Sequence, residues 1–246
     1  MKAVILAGGK GTRLAPYTRI LPKPLTPVGD MPILEILLRQ LKGCGISDIV
    51  ITVGHLSGLL QAFFQNGEKL GINICYSFED MPLGTAGPLA GIPGLTDTFI
   101  VANGDILTTL NITDLVRFHK EKQAKITIAV HHRKVPINYG VIQFDNSQYV
   151  SGYIEKPSID YWVSMGIYVF EPEVLTHIPQ NEYLDFPDLV KKLLAAGEKV
   201  SAYPFDDYWQ DLGRPDDYEA ATQDFETMRS RFLPEEQNYD MEIPAG

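Results

Sequence analysis

The sequence predicts an α/β fold, a Rossmann-like three-layer sandwich built around a mainly parallel, mixed β-sheet. Two features of its 246 residues support this prediction. In the first half, short apolar runs alternate with segments that have the 3.6-residue periodicity of amphipathic helices, which favours parallel strands joined by right-handed crossovers. In the second half, strand-like segments follow one another through short turns, which favours a small antiparallel insertion.

The first half is expected to alternate between strands and helices. The predicted strands are Lys2–Ala7, Asp48–Val53, Ile72–Phe78 and Phe99–Ala102. The predicted helices are Ile33–Lys42, Leu56–Gln65 and a third that runs from its N-cap Asn111 to about Gln123. Asp114, in the first turn of that third helix, would complete a partial capping box.

The second half is expected to begin with the antiparallel insertion. Its predicted strands are Ile126–His132, Tyr139–Phe144, Tyr149–Glu155 and Ser164–Phe170. A helix at Pro187–Ala196, a strand at Val200–Tyr203 and a last helix from Pro215 to about Arg231 would follow. No linker divides the chain, so we predict one domain at residues 1–233 and a loose acidic tail at 234–246, with no C-terminal β-helix.

The formal net charge of −10 is concentrated near the C-terminus. Residues 206–246 contain twelve Asp or Glu and three Arg, a net charge of −9. A chain this acidic is a poor candidate for nucleic-acid binding, which needs an extended basic surface. No apolar run approaches the ~20 residues of a membrane span. The two cysteines make neither a disulfide framework nor a metal site, so we expect a cytoplasmic protein without nucleic-acid or membrane partners.

The first 29 residues are the most informative part of the chain. They combine a glycine-rich turn with five basic side chains and no acidic one. The basic residues are Lys2, Lys10, Arg13, Arg19 and Lys23. Backbone N–H groups beside fixed cations bind polyphosphate, so this stretch points to a nucleoside triphosphate. The turn is not a P-loop, because no Gly is followed by Lys and then Ser or Thr at the required spacing. It also lacks the dinucleotide-binding pattern, in which a third glycine opens a helix.

Three polar turns are expected to meet at one edge of the sheet. Gly8–Arg13 follows the first predicted strand, Gly84–Thr85 follows the third, and Gly104–Asp105 follows the fourth. In α/β sheets, ligands bind outside the carboxyl ends of the parallel strands. We therefore predict that the three turns form a single site.

At these turns the chain resembles the sugar-1-phosphate nucleotidylyltransferases, also called sugar-nucleotide pyrophosphorylases. The resemblance rests on segments that occur in the order typical of that family and cover about residues 1–220. The matching segments are Gly8 to Leu14 (GGKGTRL), Pro22-Lys23-Pro24, Leu83 to Leu89 (LGTAGPL), Asn103-Gly104-Asp105, Tyr139-Gly140-Val141, Glu155-Lys156-Pro157 and Trp209 to Gly213. The resemblance implies a Mg²⁺-dependent attack of a sugar-1-phosphate oxygen on the α-phosphorus of an NTP, with release of pyrophosphate.

The resemblance also implies a role for each matching residue. Arg13 and Lys23 would be the catalytic cations, Arg13 on the departing β- and γ-phosphates and Lys23 on the α-phosphate and the incoming phosphate. Asp105 and Asp211 would hold Mg²⁺. The expected nucleotide-binding residues are Leu6, Ala7, Gly8, Gly9, Gly11, Thr12, Arg13, Gly84 and Thr85. The expected sugar-phosphate-binding residues, in the antiparallel insertion, are Gly140, Glu155 and Lys156.

The sequence leaves the base and the sugar open. The segment LGTAGPL is most similar to mannose-1-phosphate guanylyltransferases and related heptose-1-phosphate enzymes, which favours GTP with mannose 1-phosphate or a related sugar. Many family members carry Gln or Glu just before the preceding proline, where this chain has Met81, and a thioether cannot supply those hydrogen bonds. Synthesis of a UDP-, dTDP- or CDP-sugar is therefore an alternative, and so is a catalytically silent homologue that senses sugar nucleotides. A homo-oligomer is compatible with the sequence.

Overall fold

The computed structural model describes residues 1–9, 11, 18, 20–54, 56–79, 81–213 and 215–234. The helices in this part of the chain are α1 (Ile33–Gly43), α2 (Ser57–Phe64), α3 (Ile112–Lys122), α4 (Phe186–Ala195) and α5 (Pro215–Phe232). The strands are β1 (Lys2–Leu6), β2 (Pro27–Val28), β3 (Met31–Pro32), β4 (Asp48–Val53), β5 (Asn73–Phe78), β6 (Phe99–Asn103), β7 (Ile106–Thr108), β8 (Ile126–Pro136), β9 (Val141–Phe144), β10 (Val150–Ile154), β11 (Ser158–Phe170), β12 (Val200–Phe205) and β13 (Trp209–Asp211). None of the helices described is both long and apolar enough to cross a membrane.

The central sheet has seven strands in the order β12-β8-β11-β6-β1-β4-β5. β1 runs parallel to β4 and β6, β4 runs parallel to β5, and β8 runs parallel to β12. β11 alone is antiparallel to both of its neighbours, β6 and β8. The predicted α/β fold with a mainly parallel, mixed sheet is therefore confirmed.

Successive residues of β1 face opposite layers of the molecule. Ala3 and Ile5 pack in an apolar cluster with Leu34 of α1, whereas Val4 packs in a second cluster with Leu189 of α4. Helices thus cover both faces of the sheet, which is why the strand is a continuous apolar run rather than an alternating one. This arrangement is the predicted three-layer sandwich.

The predicted N-cap of α3 is confirmed. The Asn111 side chain accepts hydrogen bonds from the backbone N–H groups of Thr113 and Asp114, at 2.9 and 3.4 Å. These are two of the N–H groups that have no partner inside the helix, so the cap fixes its first turn. The Asp114 carboxylate pairs with Arg117 at 2.8 Å, so the capping box is not completed as predicted.

Several elements are longer than predicted or were not predicted. β8 continues to Pro136, and β11 begins at Ser158 rather than Ser164. Here the two strands leave the sheet as an antiparallel ribbon that pairs 131–136 with 158–163. A ribbon of this kind buries little of either face, so the sequence lacks the strong apolar signal of a core strand. The short pairs β2–β3 and β7–β13 were not predicted for a different reason, since strands of two or three residues are too short to show a periodic pattern.

A buried polar network makes the stability of the fold depend on pH. His119 is fully buried, with Nδ1 at 2.7 Å from Oγ1 of Thr127 and Nε2 at 3.0 Å from Oε1 of Glu171. Burial lowers the pKa of His119, against the opposing effect of Glu171. Below the unfolded pKa of about 6.5 the unfolded chain therefore binds a proton that the folded chain does not, and stability falls.

We expect a His119→Gln variant to lose stability at pH 7, by about 1–3 kcal/mol, because it breaks this network. When the pH is lowered from 7 to 5.5, the free energy of unfolding should decrease less in this variant than in the wild type. Urea unfolding at the two pH values measures both effects, with His132→Gln, at a half-exposed position, as the control. An unchanged pH dependence in His119→Gln would show that another group is responsible.

Candidate active site

A cavity of about 800 Å³ opens at the carboxyl ends of β1, β4, β5 and β6. Nine of the residues predicted for the site line it: Leu6, Ala7, Gly8, Gly9, Gly11, Lys23, Gly84, Thr85 and Asp105. Asp211 does not line the cavity, but its Oδ1 lies 3.6 Å from the ammonium group of Lys23, which does. Gly213 also lines the cavity. Thr12 and Arg13 lie outside the residues that the structure describes.

Two glycines of the turn after β1, Gly8 and Gly11, lie where a side chain would not fit without a shift of its neighbours. A Cβ atom on Gly8 would lie 2.8 Å from Oε1 of Glu79. Gly11 has a φ of +60°, and a Cβ atom there would lie 3.0 Å from Cγ2 of Thr18. The Thr18 hydroxyl donates a hydrogen bond to the carbonyl of Gly11, at 2.7 Å. The wall of the cavity is consequently formed by main chain, which a bound anion can approach closely.

Lys23 lies between two carboxylates beside this turn. Its ammonium group forms an ion pair with Asp105 and lies 3.6 Å from Oδ1 of Asp211. Only 10% of the Lys23 side chain is exposed, compared with 22% for Asp105 and 44% for Asp211. An ammonium group this deeply buried needs carboxylate partners to offset its lost hydration. The three residues, predicted separately, form one charged cluster.

Three distant segments build this cluster. Lys23 is the first residue of a short 3₁₀ turn, Lys23–Leu25. Pro22 and Pro24 flank Lys23 and restrict its backbone. Asp105 lies in the two-residue turn between β6 and β7. β13 pairs antiparallel with β7, and the N–H of Leu212 donates to the carbonyl of Asp105 at 3.2 Å, which brings Asp211 alongside. The β7–β13 pair therefore sets the distance between the two carboxylates.

The carboxylate pair is a donor set that suits Mg²⁺. Among the residues described, no group of three or more His, Cys, Asp or Glu side chains could hold a metal ion. Mg²⁺ takes one or two protein carboxylates and completes its octahedron with water and phosphate oxygens. Asp105 and Asp211 already hold the Lys23 ammonium between them, so this is a place where the protein stabilises positive charge. The residues fit a magnesium ion that shares its ligands with a phosphate substrate.

Glu79 is a cavity residue that sequence reasoning missed. It follows β5, lines the cavity, and accepts a hydrogen bond from the backbone N–H of Leu83 at 3.2 Å. Its other oxygen, Oε1, lies beside Gly8. Partial burial raises the pKa of Glu79, and the hydrogen bond from Leu83 only partly opposes this effect. Met81, the position considered in the sequence, also lines the cavity, but its thioether is a weak acceptor only.

A second loop holds Gly84 and Thr85 in place. The Asp185 carboxylate accepts hydrogen bonds from the backbone N–H and the hydroxyl of Thr85, at 3.1 and 3.2 Å. It also accepts one from the Tyr183 hydroxyl at 2.5 Å, and this bond is the main reason why the pKa of Asp185 is lowered. Gly84 has a φ of +81° and lies so close to Leu184 that a Cβ atom would meet its carbonyl oxygen at 2.6 Å. Asp185 is therefore a positioning residue for this part of the cavity.

The three residues predicted to bind a sugar phosphate lie apart from this cavity. Gly140 precedes β9, and Glu155 and Lys156 follow β10, in the predicted antiparallel insertion. None of the three lines the cavity. The Tyr153 hydroxyl donates to Glu155 at 3.0 Å and covers Gly140 so closely that a side chain there would clash. Glu155 and Lys156 are exposed and lie outside the cavity, so the structure does not bring them together with the residues that line it.

Comparison with known proteins gives the class of protein that this fold and cavity define. A sequence model of the family "Nucleotidyl transferase" matches residues 2–228. The chain belongs to the nucleotidyl transferase family, and the family resemblance seen in its motifs is confirmed.

The relatives that match this chain act on sugar phosphates, according to their names. The UTP–glucose-1-phosphate uridylyltransferase of Synechocystis is 37% identical over 89% of this chain and 61% of the relative. The mannose-1-phosphate guanylyltransferase of Mycobacterium tuberculosis is 35% identical over 88% of this chain and 62% of the relative. The chain thus spans about three-fifths of the length of these curated relatives.

Solved structures agree with the fold. A crystal structure of a putative glucose-1-phosphate thymidylyltransferase from Bacillus anthracis superposes with a TM-score of 0.74, at 26% identity, over 91% of this chain and 94% of that chain. HddC from Yersinia pseudotuberculosis superposes with a TM-score of 0.70 at 23% identity, over 91% of this chain and 99% of that one. The second likeness is evidence for the fold alone.

Proposed function

We propose that the protein transfers a nucleotidyl group from an NTP to a sugar 1-phosphate, giving an NDP-sugar and pyrophosphate. The observation that carries this proposal is that the glycine turn, Lys23 and Asp105 line one cavity, while Oδ1 of Asp211 lies 3.6 Å from the Lys23 ammonium group. The names of the relatives favour the same pair of substrates. As a protein without paired cysteines in the described structure, it is suited to the reducing cytoplasm.

The chemistry needs positioning and charge stabilisation rather than a general base. An oxygen of the sugar 1-phosphate, which is already an anion, forms a bond to the α-phosphorus of the NTP. The bond between the α-phosphorus and the oxygen that bridges the α- and β-phosphates breaks, and its electron pair leaves with pyrophosphate. Lys23 lowers the repulsion between the two anions, and the backbone of Gly8, Gly9 and Gly11 lies against the triphosphate. Thr12 and Arg13, outside the described residues, stay predicted ligands of the β- and γ-phosphates.

Asp105 and Asp211 would hold Mg²⁺, which offsets phosphate charge when it is bound. Lys23 lies between these carboxylates in the described structure, and its ammonium group would offset charge on the α-phosphate. Gly140, Glu155 and Lys156 are proposed to bind the sugar phosphate. Because these three residues lie outside the cavity, the acceptor would bind between the insertion and the cavity.

GTP is the proposed nucleotide, with mannose 1-phosphate or a related sugar as the acceptor. Guanine presents two neighbouring donors, N1–H and the N2 amino group, on its base-pairing edge. The Glu79 carboxylate lines the cavity, with Oε1 beside Gly8 and Oε2 accepting from the N–H of Leu83, and its two acceptor oxygens match these donors. UTP with glucose 1-phosphate is the second candidate, because the Synechocystis relative carries that name.

Pyrophosphate release across four NTPs and several sugar 1-phosphates, with Mg²⁺ and with a chelator, tests the proposal. Strong, chelator-sensitive release with one pair of substrates is expected. Nucleotide binding by calorimetry without turnover on any acceptor would instead support a sugar-nucleotide sensor. Turnover with UTP and not GTP would refute the assignment of the base while leaving the reaction class intact.

An Asp185→Asn variant is expected to raise the KM for the NTP about tenfold with little change in kcat. The amide retains the shape of the side chain but places an NH₂ group where donors from Thr85 and Tyr183 now meet a carboxylate. Steady-state kinetics measures the effect, with Asp188→Asn, an exposed partner of Lys191, as the matched control. An unchanged KM in Asp185→Asn would show that the loop is held without this carboxylate.

A further inference from the structure

Tyr183 lines the active-site cavity and has no role in the chemistry described so far. It lies in the segment that precedes α4, far along the chain from Met81 and Pro82, which line the same cavity. The Tyr183 side chain is 63% exposed. The chain itself therefore covers little of the ring, and a ligand in the cavity can contact it.

The Tyr183 ring is exposed but held in place. Its hydroxyl donates a hydrogen bond to Oδ2 of Asp185 at 2.5 Å. This bond raises the pKa of Tyr183, so the hydroxyl stays protonated near neutral pH and the bond to the carboxylate persists. Because a tyrosine has only two side-chain torsions, the fixed hydroxyl leaves the ring little freedom. Binding of a ligand against the ring then costs little further conformational entropy.

Main-chain hydrogen bonds hold the segment of Tyr183 against the loop that follows β5. The N–H of Leu184 donates to the carbonyl of Leu83 at 2.9 Å, and the N–H of Ala86 donates to the carbonyl of Leu184 at 2.9 Å. The Leu184 side chain is buried in the apolar core. The fold therefore sets the position of Tyr183 in the cavity wall.

Glu79 links the Tyr183 segment to the glycine turn. Its Oε1 lies beside Gly8, and its Oε2 accepts from the N–H of Leu83, the residue that pairs with Leu184. The glycine turn is the part of the cavity suited to a triphosphate. The contacts thus run from the triphosphate-binding turn through Glu79 to the segment of Tyr183, which is the direction in which the base of a bound nucleotide would extend.

A fixed aromatic ring in this position suits a nucleobase. Met81 and Pro82 also line the cavity, and an apolar wall of this kind does not stabilise a phosphate or a metal ion. Of the parts of an NTP, only the base has an aromatic face, and every base can stack on a tyrosine. A purine offers a larger face than a pyrimidine, so stacking favours GTP over UTP.

We propose that the Tyr183 ring is the platform on which the nucleobase stacks, and that the Asp185 carboxylate orients it. This inference rests on the proposed function, because it assigns the part of the cavity that would hold the base of the NTP. It adds a second determinant of specificity. Glu79 acts on the edge of the base, whereas Tyr183 acts on its face and favours a purine.

Isothermal titration calorimetry of the full chain, with Mg²⁺ and without acceptor, tests the proposal with GTP, UTP and inorganic triphosphate as the probes. In Tyr183→Leu the Kd for GTP should rise about 10- to 100-fold, the loss expected when a base loses its aromatic partner. The Kd for UTP should rise less, and the Kd for inorganic triphosphate, which has no base, should not change. Tyr149→Leu, an exposed tyrosine outside the cavity, is the matched control.

A Tyr183→Phe variant separates the ring from its hydroxyl. It retains the aromatic face and loses the bond to Asp185, so its affinity for GTP should lie between those of the wild type and Tyr183→Leu. Both variants should melt close to the wild type, because the side chain is already exposed. If Tyr183→Phe binds GTP as weakly as Tyr183→Leu, the hydroxyl and not the ring is responsible, and the stacking role is refuted.

An unchanged Kd for GTP in Tyr183→Leu overturns the proposal. An equal loss with inorganic triphosphate also overturns it, because Tyr183 would then support the cavity as a whole. A ring that served the acceptor would instead raise the KM for the sugar 1-phosphate and leave the Kd for GTP unaltered, with the same consequence.

The binding measurements do not use turnover, so the two proposals can fail separately. A wild type that binds GTP through Tyr183 but releases no pyrophosphate with any acceptor refutes the transferase activity and retains the stacking platform. Pyrophosphate release with a Tyr183-independent Kd does the reverse. A wild type that binds no NTP refutes both.

Discussion

An Asp105→Asn variant is expected to lose about 100- to 1,000-fold in kcat, the size of effect seen when one preorganised electrostatic group is removed from an active site. Asp105 is the less exposed of the two carboxylates that surround Lys23, and the amide is a much weaker ligand for a divalent cation. The half-saturating Mg²⁺ concentration should rise as well. Pyrophosphate release measured over a series of Mg²⁺ concentrations gives both quantities.

The fold is expected to tolerate Asp105→Asn, because Asp211 still lies 3.6 Å from the Lys23 ammonium and offsets part of its burial. A thermal melt close to that of the wild type checks this point. Asp206→Asn is the matched control, since Asp206 is an exposed aspartate and should leave kcat unchanged. If Asp105→Asn retains kcat within a few-fold and the Mg²⁺ requirement is unaltered, Asp105 does not hold the metal.

Local signals in the sequence were enough to predict much of the fold. β1 is a continuous apolar run because both faces of the strand are covered, and α3 begins where Asn111 caps it. Both signals lie within a few residues of the element that they define. The extension of β11 back to Ser158 carries no such signal, because its residues gain pairing with β8 but little burial.

The candidate site was predicted by residue type but not by arrangement. Lys23, Asp105 and Asp211 are singled out by their motifs, yet their contact depends on the pairing of β7 with β13, strands of three residues each. Glu79 carries no motif signal, because the family pattern concerns the residue before Pro82, which is Met81 in this chain. The carboxylate that lines the cavity lies two positions earlier, directly after β5.

A Glu79→Gln variant is expected to reduce kcat/KM for GTP about 10- to 100-fold, the cost of 1–3 kcal/mol for a lost bidentate contact to a base. A glutamine has one acceptor oxygen, and its NH₂ group would oppose a guanine donor. Uracil and thymine instead present one N–H between two carbonyl oxygens, which an amide can match with one acceptor and one donor. The variant should therefore gain activity with UTP or dTTP while it loses activity with GTP.

Competition between GTP and UTP in one assay measures this change of preference directly. Glu68→Gln, an exposed glutamate of the loop before β5, is the matched control and should leave the preference unaltered. The raised pKa of Glu79 adds a second test, since protonation places a hydroxyl donor opposite the guanine donors. The KM for GTP should rise on acidification at a higher pH than an ordinary glutamate would require, and this rise should be absent in Glu79→Gln. A proportional loss with GTP and UTP alike would mean that Glu79 supports the cavity wall and does not read the base.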